Sequence, residues 1–179
     1  MNLPNAITIA RIALIPVFLV LAFRGTNVAT AAALVVFLVA SLSDYLDGYF
    51  ARRDETVSRA GQFLDPTADK LLVGAALIVI VVERGFPIWA ALLLAAREIV
   101  VQVIRTNTVR AGGTLPASQV GKIKTFSHVV MVVWWLLPWE ERNLVHWLLL
   151  GEALIFSFVS GAEYVMRRPK KPEASEPVV

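Results

Sequence analysis

The sequence predicts an all-α integral membrane protein in which six transmembrane helices surround a polar cavity. The chain is 57% hydrophobic with positive mean hydropathy, and its apolar residues fall in blocks separated by short charged connectors. Four aspartates, Asp44, Asp47, Asp65 and Asp69, interrupt those blocks where lipid would tolerate them poorly. Blocks of about 17 to 25 residues suit helices that cross a bilayer. Most of the blocks here are too long for barrel strands and lack their alternation, and backbone groups in lipid must pair within their own segment.

The spans are expected near 7–23, 28–50, 62–82, 86–105, 123–139 and 143–166. The first lacks a basic start and a small-residue cleavage site, so it is expected to stay rather than act as a secretory signal. The second closes on Asp44 and Asp47, and the third opens on Asp65 and Asp69. The fourth contains Arg97 and Glu98, which must face protein or a cavity; Arg97 is suited either to a substrate phosphate or to a pair with another helix. Around the fifth and sixth, Trp134, Trp135, Trp139 and Trp147 sit near span ends and, with Trp89, read as an interfacial aromatic belt. His128 and His146 are too far apart for a local metal motif and are assigned no role. Residues 1–168 are expected to form one domain, and the polar stretch 169–179 a disordered cytoplasmic tail.

Lysine and arginine set the orientation. Arg52, Arg53, Arg59, Arg105, Arg110, Lys122, Lys124, Arg167, Arg168, Lys170 and Lys171 fall on one side, against Arg24, Arg84 and Arg142 on the other. The positive-inside rule then places both termini and the aspartate ends of spans two and three at the cytoplasmic face of the cell's inner membrane. The net charge of +3 follows mostly from this bias, so anionic lipid is the expected partner and nucleic acid is not. The absence of Cys excludes disulfides, thiol nucleophiles and thiolate metal ligands.

A carboxylate at membrane depth costs about 2.5 to 3.5 kcal/mol by insertion scales, which makes four of them a functional signal. On a helix, the spacing of Asp44 to Asp47 and of Asp65 to Asp69 places each pair on one face. Two antiparallel helices would aim all four into one cleft, where like charges raise one another's pKa unless a cation intervenes. An all-oxygen set favours Mg²⁺ or Mn²⁺, and Ca²⁺ after them, over zinc or copper. The plainer alternative is two buried ion pairs, with Arg52, Arg59 and Lys70 as counter-charges.

The run Asp44-Tyr-Leu-Asp47-Gly48-Tyr-Phe-Ala51-Arg52, continued by Gly61-Gln-Phe-Leu-Asp65-Pro-Thr-Ala-Asp69, resembles the signature of the CDP-alcohol phosphotransferase family, with every signature position filled. The resemblance implies a six-helix membrane enzyme, usually a homodimer, that joins an alcohol to a CDP-linked lipid and releases CMP. It implies two metal ions held by Asp44, Asp47 and Asp65, with Asp69 near or on the second and matching the proposed general base. Arg52 and Ser58 match positions that contact the CDP group, and Asn5, Thr8 and Arg11 match an amino-terminal pattern near the nucleotide. Asn5 would serve equally as a helix cap. Gly48 and Gly61, lacking Cβ, would let the nucleotide or a neighbouring helix approach.

Arg105, Arg110, Lys122 and Lys124 lie on the aspartate side of the membrane and suit an acceptor that itself carries phosphate, although topology alone also expects basic residues there. Together with Asn2-Leu-Pro-Asn5, Phe63 to Lys70 and Gly121 to Thr125, they resemble the branch that uses CDP-diacylglycerol and sn-glycerol 3-phosphate. Inositol-phosphate-using and cardiolipin-forming branches share the main signature. A divalent-cation transporter is the rival from another class, but spans two and three turn apolar away from the aspartates and no internal repeat is visible.

Overall fold

A computed structural model describes the backbone of residues 3–54, 59–110, 119–139 and 141–166, and the side chains of 8–43, 68, 70–108, 119–139 and 141–166. Six helices follow one another: α1 (Leu3–Ala22), α2 (Asn27–Asp54), α3 (Arg59–Arg84), α4 (Ile88–Arg110), α5 (Gln119–Leu136) and α6 (Leu144–Met166). No strand occurs among the described residues. Each expected span coincides with one helix, and most of the helices extend beyond the apolar blocks into charged flanks such as Arg52 to Asp54 and Arg105 to Arg110. Among the described residues one helix, Leu144–Met166, is long and apolar enough to cross a membrane by length and hydropathy alone, and Thr8–Ala22 and Asn27–Ser43 are shorter apolar runs. Charges inside the other helices, such as Arg97 and Glu98 of α4, interrupt their apolar windows. The tail expected over 169–179 lies outside the described residues.

The chain forms two compact units, Met1–Pro87 with Met131–Asn143, and Ile88–Val130 with Leu144–Val179. In the first, α1, α2 and α3 pack against one another in all three pairings. Gly25, at φ 69°, turns the chain between α1 and α2, and Thr26 caps α2 by accepting the Ala29 N–H on its hydroxyl at 3.2 Å. The pair is antiparallel: the Phe18 and Phe37 rings lie 5.8 Å apart, and Arg11 Nε donates to the Ala40 carbonyl at 3.2 Å. At the other end of α2, the Arg84 guanidinium donates to Thr30 Oγ1 at 2.9 Å. α3 ends where Gly85 enters the left-handed region (φ 61°), and the Phe86 N–H returns to the Ile80 carbonyl.

In the second unit α4 packs on α6. The inward face of α6 is His146, Leu150, Ala153, Ser157, Ser160 and Gly161, a helical repeat of mostly small residues that permits close approach. The outward faces are apolar: Val35, Val39 and Leu42 on α2, Ile78 and Val82 on α3, Leu92, Ile99 and Val103 on α4, and Ile155, Phe158 and Val159 on α6 are exposed. A surface of this kind is the reverse of what water selects and matches contact with lipid.

Candidate active site

Three inward stripes of the first unit lead to the aspartates. On α2, Thr30, Ala33, Phe37 and Ala40 are buried at alternating steps of three and four, and the next steps of the same register reach Asp44 and Asp47. On α3, Ala68, Leu72, Ala75 and Val79 are buried; one step back is Asp65, and Asp69 lies beside Ala68 at the edge of the stripe. On α1 the stripe contains Thr8, Arg11, Phe18 and Ala22, and one step back is Asn5. The side chains of the four aspartates, Asn5, Gly48, Arg52 and Gly61 are outside the described set, as is all of Ser58.

Helix register sets the level of these positions. With both helices rising 1.5 Å per residue, the Arg11 to Ala40 contact places Thr8 near the level of Asp44 and Asn5 near that of Asp47. Carried along from the Arg84 to Thr30 contact, the antiparallel pairing of α2 and α3 brings residues 44–47 to the level of 67–70, with Asp65 about 3 Å beyond. Four carboxylate-bearing positions therefore gather at one end of a three-helix packing. Arg11 is almost wholly buried, at 1% exposure, and Thr8 is buried beside it on the same face. The carbonyl that Arg11 engages is also the one an α-helix assigns to the N–H of Asp44, so the cation is tied to the turn that delivers the first aspartate.

A second polar group lies in the other unit. Glu98 Oε2 accepts from Arg97 at 2.8 Å and from the Lys124 ammonium at 2.6 Å. A second nitrogen of Arg97 donates to Ser160 Oγ at 2.7 Å, the helix-to-helix contact that is one of the two uses open to Arg97 from sequence. Of the residues expected to hold an acceptor phosphate, Lys124 is turned inward, whereas Lys122 and Arg105 are exposed and the Arg110 side chain is outside the described set. Two residues apart, Lys122 and Lys124 lie about 200° around the helix from each other, so one helix face cannot present both. Sequence reading missed the Glu98 to Lys124 pair. The available signal was that each is a charge within or beside an apolar block and so needs a partner.

A family model described as CDP-alcohol phosphatidyltransferase matches residues 1–159, all of the first unit and most of the second. The chain belongs to this family. A relative from Bacillus subtilis (strain 168), named CDP-diacylglycerol–glycerol-3-phosphate 3-phosphatidyltransferase, is 39% identical over 91% of this chain and 93% of its own length. One of the same name from Pseudomonas fluorescens is 38% identical over 87% of this chain and 81% of its own. A probable phosphatidylglycerophosphate synthase from Mycobacterium tuberculosis (strain ATCC 25618 / H37Rv) is 35% identical over 93% of this chain and 81% of its own. CDP-alcohol phosphatidyltransferases generally depend on a divalent metal. The donor set here fits one: carboxylates alone, paired at helical spacing on two packed helices, with no Cys in the chain.

Proposed function

We propose that this chain is a multi-pass membrane transferase that moves the phosphatidyl group of CDP-diacylglycerol to sn-glycerol 3-phosphate, giving phosphatidylglycerophosphate and CMP. Agreement over nearly the whole chain with relatives named for this reaction carries the reading. It is favoured over the inositol-phosphate, cardiolipin and cation-transport alternatives. The apolar outward faces of α2, α3, α4 and α6 support several membrane crossings, and the one-sided Lys and Arg distribution supports cytoplasmic termini and a cytoplasmic active site. Residues 1–168 act as one catalytic domain, and the enzyme works as a homodimer, as the family resemblance implies.

Asp44, Asp47 and Asp65 would hold a pair of divalent ions, Mg²⁺ or Mn²⁺, with Asp69 at or near the second. Such a pair supplies positive charge for the pyrophosphate and for the departing CMP. Asn5, Thr8, Gly48, Arg52, Ser58 and Gly61 bind the CDP group, Arg52 through its forked donors and the glycines by leaving room for close approach. Asp69 takes the proton of an acceptor hydroxyl as that oxygen bonds to the phosphorus bearing diacylglycerol, and the bond from that phosphorus to CMP breaks. Arg105, Arg110, Lys122 and Lys124 are assigned to the acceptor phosphate, Lys124 foremost because it alone of the described three is turned inward.

The test is transfer from radiolabelled CDP-diacylglycerol in detergent to a panel of glycerol 3-phosphate, inositol phosphate, phosphatidylglycerol and serine. Label is expected in phosphatidylglycerophosphate, with glycerol 3-phosphate alone active; turnover only with another acceptor overturns the assignment. Chelation with EDTA should abolish transfer, and added Mn²⁺ or Mg²⁺ should restore it.

A further inference from the structure

We propose that Glu98 is a positioning residue for the acceptor phosphate, holding the Lys124 ammonium in place with Arg97 as the brace behind it. The inference rests on the reading of Lys124 as an acceptor contact. One carboxylate oxygen, Glu98 Oε2, receives both the Lys124 ammonium at 2.6 Å and the Arg97 guanidinium at 2.8 Å. Arg97 is held from the other side by Ser160 Oγ at 2.7 Å, and Gly161 makes room for it: a Cβ there would come within 3.2 Å of Arg97 Nε. The brace is therefore fixed by two bonds and by a missing side chain, and it fixes Glu98 in turn.

Charge and donor count both point outward from this cluster to an anion. Two cations share one carboxylate, leaving one positive charge in excess, and the side chains of Arg97 and Lys124 are only 7% and 12% exposed. A nearly buried excess cation is stable only with an anionic partner or water close by. An ammonium has three N–H donors and Glu98 takes one, so Lys124 can accept this restraint and still donate to a phosphate oxygen. A lysine stem is otherwise among the most freely rotating of side chains, and holding it beforehand removes most of the ordering cost that binding would meet. Lys122, exposed on the far side of the helix, meets no such restraint among the described residues.

Purified full-length enzyme, assayed in detergent with Mn²⁺, CDP-diacylglycerol and sn-glycerol 3-phosphate, decides it through separate KM values for the two substrates. Lys124→Ala should raise the acceptor KM about ten- to a hundred-fold, the range for a lost charge-assisted contact. Glu98→Ala should raise the same KM about five- to twenty-fold with the CDP-lipid KM unchanged, and Glu98→Gln, which still offers an acceptor oxygen, should stay within about threefold of the parent. Combining Glu98→Ala with Lys124→Ala should be no worse than Lys124→Ala alone, because the restraint has nothing left to hold. If Lys124→Ala raises the acceptor KM and Glu98→Ala does not, or if the two effects multiply, the positioning role is overturned while the acceptor reading stands. An unchanged acceptor KM in Lys124→Ala removes the acceptor reading and this inference with it. Should Glu98→Ala fail to fold, Glu98→Asp, one methylene shorter, must show the same selective rise, and an unchanged KM there also overturns the proposal.

Discussion

At Asp69 a carboxylate position follows Asp65 by four residues on α3, and it is the group proposed to accept the hydroxyl proton. Asp69→Asn keeps shape and much of the metal-binding capacity but loses the basic oxygen. Transfer should fall at least ~10²-fold, the lower end for general-base catalysis, while CDP-lipid binding survives; comparable turnover in the purified variant removes the base assignment. Asp44→Ala is expected to act differently, losing Mn²⁺-dependent nucleotide binding as well as turnover, and calorimetry showing unchanged affinities would refute the two-metal arrangement. The sequence singles these residues out because four acids in apolar blocks have no inexpensive structural explanation. Arg11 was legible as part of a pattern, but its attachment to the Ala40 carbonyl was not, since nothing local links position 11 to position 40.

Among the helices, α6 shows how a single missing atom can matter. Gly151 and Gly161 both lie on it, and a Cβ at Gly151 meets nothing within 4 Å, whereas one at Gly161 meets Arg97 Nε at 3.2 Å. Alanine improves helix propensity by ~1 kcal/mol over glycine, so Gly151→Ala should raise the thermal midpoint in detergent. Gly161→Ala should lower it, because Arg97 is tied to Ser160 and Glu98 and cannot recede without lengthening one of those bonds. Equal shifts from the two substitutions would show that Arg97 is not held as described. The existence of all six helices could be read from apolar blocks, but their ends could not: charged flanks such as Arg105 to Arg110 continue the helix after hydropathy has stopped signalling it.

For the whole molecule, the absence of Cys makes the proposed topology directly measurable. Single substitutions Thr26→Cys and Asn143→Cys should react with a membrane-impermeant maleimide added outside spheroplasts, while Ser118→Cys and Ser175→Cys should react only after permeabilisation. Thr26 and Asn143 are among the described connectors that the Lys and Arg distribution places on the far side. Reaction of all four from one side would overturn the multi-pass arrangement.

Composition, block length and the Asp44 to Asp69 signature were enough by themselves to determine an all-helical chain and its family and to single out the four acids proposed for its site, because each is a local or periodic property of the chain. The tertiary structure alone decided that Thr8 and Arg11 share the buried face leading to those acids, that Lys124 turns inward while Lys122 does not, and that Glu98 joins Lys124 to Arg97 and Ser160. Periodicity says which residues of one helix share a face. Which face meets which neighbour, and at what height, depends on packing between segments distant in sequence, and a buried charge finds its partner only there.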